Sequence, residues 1–301
     1  MMSKITISLL LVFTSVSLFD YTLTSERTVI IQDTVHMSKN VILETGDFIV
    51  TTDTALFFRK DSIVIMPRSV KIMKKDSITI DAEKGIYLMK GKYFKLLNQR
   101  TVKENSFIIE SESLEILMKD SLFFYSKGPI LYFDGRESSA SGDTIEYSFS
   151  TDTMKIYNKS LFRKKAGYEA ATDTIIIMIE DSLYSFFHKC LVKTDSMTLE
   201  TDSLLMFRKE DYAKTFKRTL IKNESVLLES DSVRMTFRND SLDFLIAYRN
   251  VCFSSNDENQ KIKIECDSVE SDIEENKMKK TFFYLIKSSE LETREENDTE
   301  K

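Results

Sequence analysis

Residues Ser225 to Phe253 read SVLLESDSVRMTFRNDSLDFLIAYRNVCF. An apolar run ends in a small residue and an acid, Ser230-Asp231. A second apolar run follows, and Asp240-Ser241-Leu242 opens a third that closes on Asn250-Val251. Val233, Met235 and Phe237 alternate with Ser232, Arg234 and Thr236, while Leu242, Phe244, Ile246 and Tyr248 alternate with Ser241, Asp243, Leu245 and Ala247. A period of two assigns each set to one face of an extended chain, so the stretch describes two strands, each with one wet face, joined through the polar turn Arg238-Asn239-Asp240.

Relatives of this stretch recur from about residue 47 to about residue 290, and a fixed period is the signature of an array built from one repeated unit. The acid returns at Asp53, Glu83, Glu112, Asp143, Asp173, Asp202, Asp231 and Asp267, at intervals of 29 to 31 residues apart from the last, which is 36. Immediately before it stand Thr52, Ala82, Ser111, Gly142, Thr172, Thr201, Ser230 and Cys266, all small. Three before it stand Val50, Ile80, Ile109, Ala140, Ala170, Leu199, Leu228 and Ile264, all apolar. Two after it come Ala55, Gly85, Leu114, Ile145, Ile175, Leu204, Val233 and Val269; four after it, Phe57, Tyr87, Ile116, Tyr147, Ile177, Met206, Met235 and Ser271. A further apolar column follows 17 to 20 residues after the acid, at Val70, Val102, Ile130, Leu161, Leu191, Leu220 and Val251.

The offset from the third residue before the acid to the second after it is odd, so the apolar face changes sides there. A strand running through the acid must bulge or kink, and the small residue leaves the backbone room. A second change of face is expected between Tyr248 and Val251, whereas Leu122 to Tyr132 runs without one. Polar turns at Arg59-Lys60-Asp61, Lys119-Asp120 and Glu180-Asp181 suit Asp and Ser side chains that bond nearby amides. Two bent strands in each of eight units give about 16 strands, on the order of 75 Å of stacking at ~4.8 Å per strand. One unit encloses no core by itself, so its apolar face is buried by folding the sheet over and stacking neighbours. The expected fold is all-β, an elongated solenoid-like repeat array of stacked bent strands. Only 7 glycines and 2 prolines speak against a short-rung β-helix, and apolar residues do not recur with helical spacing.

With 30% charged residues, a formal net charge of −6 and a pI near 5.3, the chain has no general affinity for nucleic acid. Ile5 to Phe19 is apolar and hydroxylic after a single lysine. Residues 1–19 therefore read as a secretory signal, with Ser15-Val16-Ser17 as the cleavage region, or as a membrane anchor if retained. No cysteine follows the run, which disfavours a lipoprotein. Residues 20–27 read as a tether, 28–44 as an incomplete first rung, 28–289 as the repeat domain and 290–301 as a charged, disordered tail. Three cysteines, Cys190, Cys252 and Cys266, form no disulfide framework.

These columns resemble the OstA/LptA-like family of lipopolysaccharide-transport proteins, whose repeats pair a small-Asp element with a Gly-Asn-Val element on the next strand. The first element is carried by Thr52-Asp53, by Gly142-Asp143 with Tyr147, and by Ser230-Asp231 with Val233 and Met235. The second is carried by Asn40-Val41, Ser69-Val70, Gly128-Pro129-Ile130 and Asn250-Val251. The glycine survives only as Gly128; elsewhere Arg68, Arg100, Lys159, Lys189, Arg218 and Arg249 precede the apolar position by two. The resemblance covers about residues 28 to 288. It implies a V-shaped β-jellyroll, or β-taco, whose groove holds the acyl chains of a glycolipid. It further implies a periplasmic location and end-to-end strand stacking with other OstA/Lpt-like β-repeat proteins.

As candidate groove residues the columns offer Phe57, Tyr87, Ile116, Tyr147, Ile177, Met206 and Met235, with Leu114, Ile145, Ile175, Leu204 and Val233 beside them. They are core if the sheets close and a lipid-filled groove if the sheets stay splayed; adaptable Met and Phe, 13 and 21 of them, suit a greasy ligand of no fixed shape. The acid column reads as strand-edge or turn hydrogen bonding, since stacked like charges repel and Glu substitutes for Asp without keeping a metal geometry. The basic column reads as a solvated strand end paired with nearby acids, or as a cationic stripe facing lipid phosphates. His36 and His188 occupy unrelated positions, and the chain has no HExxH, paired-cysteine motif or glycine-rich phosphate loop. A non-enzymatic lipid-transport bridge without cofactor or metal is therefore expected. The alternative is a secreted structural or adhesive β-solenoid that binds proteins through its edges or ends.

Overall fold

The computed structural model describes residues 16–18, 21–74, 77–103, 106–165, 167–194, 196–238, 241–256, 260–274 and 277–293. Among them the chain is all-β, with 25 strands in antiparallel pairs and short 3-10 turns at Met89–Gly91, Asp134–Arg136 and Arg208–Glu210. The strand number exceeds the expectation because several bent strands are interrupted at their bends, as between Ile63–Met66 and Val70–Lys74. The chain forms two compact units, one of residues 1–134 and 144–151, the other of 135–143 and 152–301.

In the first unit the bends divide the strands into two walls. On the turn side, Val35 faces Phe57, Gly85 faces Leu96 and Ile116 faces Phe123; beyond the bend, Leu43 faces Val50 and Ile72 faces Ile80. No backbone pairing joins the two walls among the described residues; side chains do. The Phe107 ring of one wall stands 5.1 Å from that of Tyr147 on the other, edge to face, and Phe48 stands 6.4 Å from Phe123.

The second unit is built alike. Thr153–Lys164 pairs with Tyr168–Met178, which pairs with Leu183–Thr194, and the series continues through Ser241–Asn256 and Gln260–Glu274 to Lys277–Tyr284 and Ser288–Thr293. Its walls meet where the Tyr168 hydroxyl donates to Met206 Sδ at 3.3 Å and where Phe253 packs against Phe283 at 5.1 Å.

At several bends a bulge sets two residues of positive φ opposite the acid of the following strand, whereas in Tyr93–Lys103 Asn98 alone, also of positive φ, opposes Glu83 with no slip in register. Lys39 and Asn40 lie between the pairs Ser38–Thr54 and Val41–Thr52, opposite Asp53; His188 and Lys189 oppose Asp202; Arg249 and Asn250 oppose Asp267. Two residues against one leave the buried face unchanged on the first strand and switch it on the strand carrying the acid. Val50 and Thr52, then Ala55 and Phe57, are accordingly all buried. The expected second change of face between Tyr248 and Val251 is not there: Leu245, Ala247 and Val251 are all buried, and Tyr248 is 37% exposed. The change lies nearer the turn, between Leu242 and Leu245, where the register with Thr236 and Phe237 slips.

Burial also corrects the apolar column on the second strand. Val70 and Val251 are buried, but in the intervening copies the inward residue precedes the expected one: Ser160 instead of Leu161, Cys190 instead of Leu191 and Thr219 instead of Leu220. Where Val102 was expected, Gln99 and Thr101 are buried. The segment read as a tether contains the strand Tyr21–Thr24, paired with Thr34–Thr45. The tail read as disordered begins inside the strand Ser288–Thr293. Of the signal segment, residues 1–15 and 19 lie outside the described residues, and Val16–Leu18 is a strand paired with Tyr21–Thr24.

Candidate functional site

The acid column and the small residue before it build the bend. Asn40, Asn98 and Asn250 donate through Nδ2 to Glu26, Glu83 and Asp231, and the Asp231 backbone amide donates to Arg249 O at 3.1 Å. The small residues do more than leave room. Thr52 Oγ1 lies 2.6 Å from Arg68 O, and Thr172 Oγ1 lies 2.5 Å from Phe187 O and 3.1 Å from His188 O. These hydroxyls satisfy carbonyls that the bulge takes out of the ladder. Ser111, Thr201 and Ser230 also reach the carbonyl two residues on, and Cys266 does the same with its thiol at 3.4 Å from Ser268 O. Space alone decides one copy: a Cβ at Gly142 would fall 2.6 Å from Ile156 Cγ2 and 2.8 Å from Tyr157 O.

All twelve candidate groove residues lie on the turn-side walls and point inward. In the first unit they are Phe57, Tyr87, Leu114, Ile116, Ile145 and Tyr147; in the second, Ile175, Ile177, Leu204, Met206, Val233 and Met235. None is more than 8% exposed, so in this structure they are core. The opposing wall was not among the expected site residues. It supplies Phe48, Val50, Ile72, Ile80 and Ile109 in the first unit, and Phe162, Ala170, Leu199, Ile221 and Leu228 in the second. Its signal was the apolar column three residues before the acid.

The first unit's interior is not uniformly apolar. Lys74 is 5% exposed, with its Nζ 3.5 Å from the Phe149 ring centroid and 5.1 Å from that of Phe48. Burial pulls this ammonium below its ordinary pKa, and Asp47 acts in the opposite sense. Gln99 donates to Ser111 Oγ and accepts from Thr101 at 2.7 Å, a buried polar pair of links next to the bend. Tyr125 is fully buried and its hydroxyl has no partner among the described residues; burial pushes its pKa up. In the second unit, burial raises the Cys190 thiol to about 12.

The residues of the basic column are exposed, and two of them are paired: Arg100 with Glu110 at 3.6 Å and Arg218 with Glu229 at 2.8 Å. His36 and His188 are exposed, the second within a bulge. Among the described residues no three His, Cys, Asp or Glu side chains are grouped to hold a metal ion, and the three cysteines are unbridged. No helix among them is long and apolar enough to cross a membrane. Apolar side chains are exposed on outer strands: Val29, Ile30 and Ile31 in the first unit, and Phe282, Tyr284 and Leu291 in the second. In comparison with known proteins, neither a protein-family model nor a curated sequence matches the chain.

Proposed function

We propose that this protein is a non-enzymatic carrier of glycolipid acyl chains, acting in the periplasm as one segment of a bridge of like β-repeat proteins. The observation that carries this reading is the construction of each unit. Two inward walls of Ile, Leu, Val, Met, Phe and Tyr are continuous with one another only through the bends, and their interface is made of side chains. Such an interface can part without breaking a ladder of backbone hydrogen bonds, and acyl chains would replace side-chain contacts of the same chemistry. The resemblance of the small-Asp and Asn-Val elements to OstA/LptA-like repeats supports the same reading, including a jellyroll that opens along one side.

Because the walls touch, uptake requires them to move apart. A photo-crosslinking residue at Ile177 or Met206 is expected to label glycolipid, whereas the same residue at Ile176, on the outer face of the same strand, is not. Equal labelling at Ile176 and Ile177 would remove the proposal.

A second reading is favoured by the closed walls and by the apolar residues on outer strands. In this reading the array is structural, the interior stays shut, and Ile30 (62% exposed) or Phe282 (55% exposed) meets another protein. Crosslinks to protein from those two positions, with no lipid captured at Ile177, distinguish it from the first.

A further inference from the structure

The outer face of the second unit carries a cleft of ≈ 820 Å³ lined by strands between Tyr212 and Ser268. Four cations face it: Lys214, Lys217, Arg234 and Arg249. None of them is in an ion pair among the described residues, unlike Arg163, Arg218 and Arg238 elsewhere in this unit, which lie within 3.0 Å of Glu169, Glu229 and Asp243. The cleft holds two carboxylates, and both are engaged: Asp231 accepts from Asn250 Nδ2 at 2.9 Å, and Asp267 pairs with Lys287 at 2.6 Å.

Lys214 and Arg234 are directly opposite each other on adjacent strands. Like charges in that position repel, and the next residue in the row is Leu205 on one side and Ile246 on the other, so no acid stands directly beside them on a neighbouring strand. Each cation lies instead against a ring: the Arg234 guanidinium carbon is 4.8 Å from the centroid of Tyr212, and Lys214 Nζ is 4.9 Å from that of Phe216. A ring face holds a cation in place while leaving its charge unneutralised. Lys217 and Arg249 stand in the bulges with φ of 65° and 61°. The local excess of positive charge is set in a chain of net charge −6.

We propose that this cleft is a binding site for a phosphate group, Arg234 and Lys214 taking its oxygens and Lys217 and Arg249 supplying long-range attraction. Guanidinium and ammonium donors at fixed positions match a tetrahedral oxyanion with more than one charge. The site is independent of the interior and does not rest on the carrier reading. The phosphate can come from a soluble phosphate compound or from a lipid headgroup.

The full chain would be titrated with inorganic pyrophosphate by calorimetry, and incubated with phosphatidylcholine vesicles with and without phosphatidic acid in a flotation assay. Binding of at least one probe is expected, weakening as salt is raised. The double variant Lys214→Gln with Arg234→Gln should lower affinity on the order of tenfold or more, while Lys95→Gln, which breaks an ion pair with Glu115 in the first unit, should leave it unchanged. Pyrophosphate binding without vesicle binding assigns a soluble phosphate; phosphatidic acid-dependent flotation assigns a headgroup. A thermal scan supplies a second readout: relief of the like-charge pair should raise the Tm of Arg234→Gln without pyrophosphate and shrink the rise that pyrophosphate gives the wild type. Failure of both probes to bind, or equal binding by the double variant and Lys95→Gln, overturns the proposal whatever the result of crosslinking at Ile177.

Discussion

Two side chains of the first unit are held at a cost that experiment can expose. The Tyr125 hydroxyl is buried without a partner among the described residues, and its neighbour Thr101 donates to Gln99 instead. An unpaired buried polar group is penalised, so Tyr125→Phe should stabilise the protein by about 1 kcal/mol, read from the urea midpoint at unchanged slope. Lys74 is a cation among rings. Its folded pKa lies below the ordinary 10.5, because burial disfavours the charged form. Between the folded and unfolded values the unfolded chain binds more protons, so stability rises with pH through that window and is reduced at pH values below it. Lys74→Met should flatten the alkaline rise, measured as urea midpoints from neutral pH to beyond 10.5; an unaltered slope would show that Lys74 is not its source. Neither penalty could be read from the sequence: the acid and small columns were visible as letters, but the tyrosine's lack of a partner depends on residues from separate strands.

The bent strand is the element that the pattern describes best, and the bulge is where it describes it least. An odd offset of five residues across the acid required a change of face, and the structure has one in Phe48–Phe58 and its counterparts. On partner strands such as Thr34–Thr45 and Ser241–Asn256 a pair of residues in the left-handed region preserves the face. Alternation cannot reveal this, because a bulge of two looks like uninterrupted period two. That is why Leu245 and Ala247 are inside, although Phe244, Ile246 and Tyr248 are the larger apolar residues. The hydroxyl's role as an acceptor's partner was likewise hidden, since only residue size was visible. The backbone conformation itself is testable. Asn250 has φ 50° and bonds Asp231, so Asn250→Val should cost about 2 kcal/mol through strain and the lost bond. Asn250→Gly, which keeps the conformation, should cost less than about 1 kcal/mol. Equal losses for the two variants would show that backbone strain is not the larger part.

At the scale of the molecule, the candidate site was legible as a set of columns but not as a conformation. The twelve residues lie on the inward face of the turn-side wall of their own unit, yet whether such a wall meets water, lipid or the opposite wall depends on how sharply the bends fold, which no periodicity encodes. Within each unit a strand pairs with its sequence neighbours, so stability is a sum over nearest neighbours. Ile177, 3% exposed in Tyr168–Met178, is suited to test this. Ile177→Ala should cost about 2–5 kcal/mol. Amide exchange should accelerate most in Thr153–Lys164 and Leu183–Thr194, which flank it, and less with each further strand of that unit. A uniform acceleration across the unit would show instead that it unfolds as one cooperative block.

The hydroxyl contacts at the bends have a direction. Thr52, Thr172 and Thr201 each reach forward, to carbonyls 15 or 16 residues later in the chain. A polypeptide delivered amino end first therefore completes these three corners soon after making them, needing for each only one more ribbon and nothing from its distant carboxyl end. Such a chain can be assembled in the order in which it is threaded through a pore, each new layer sealing the one before.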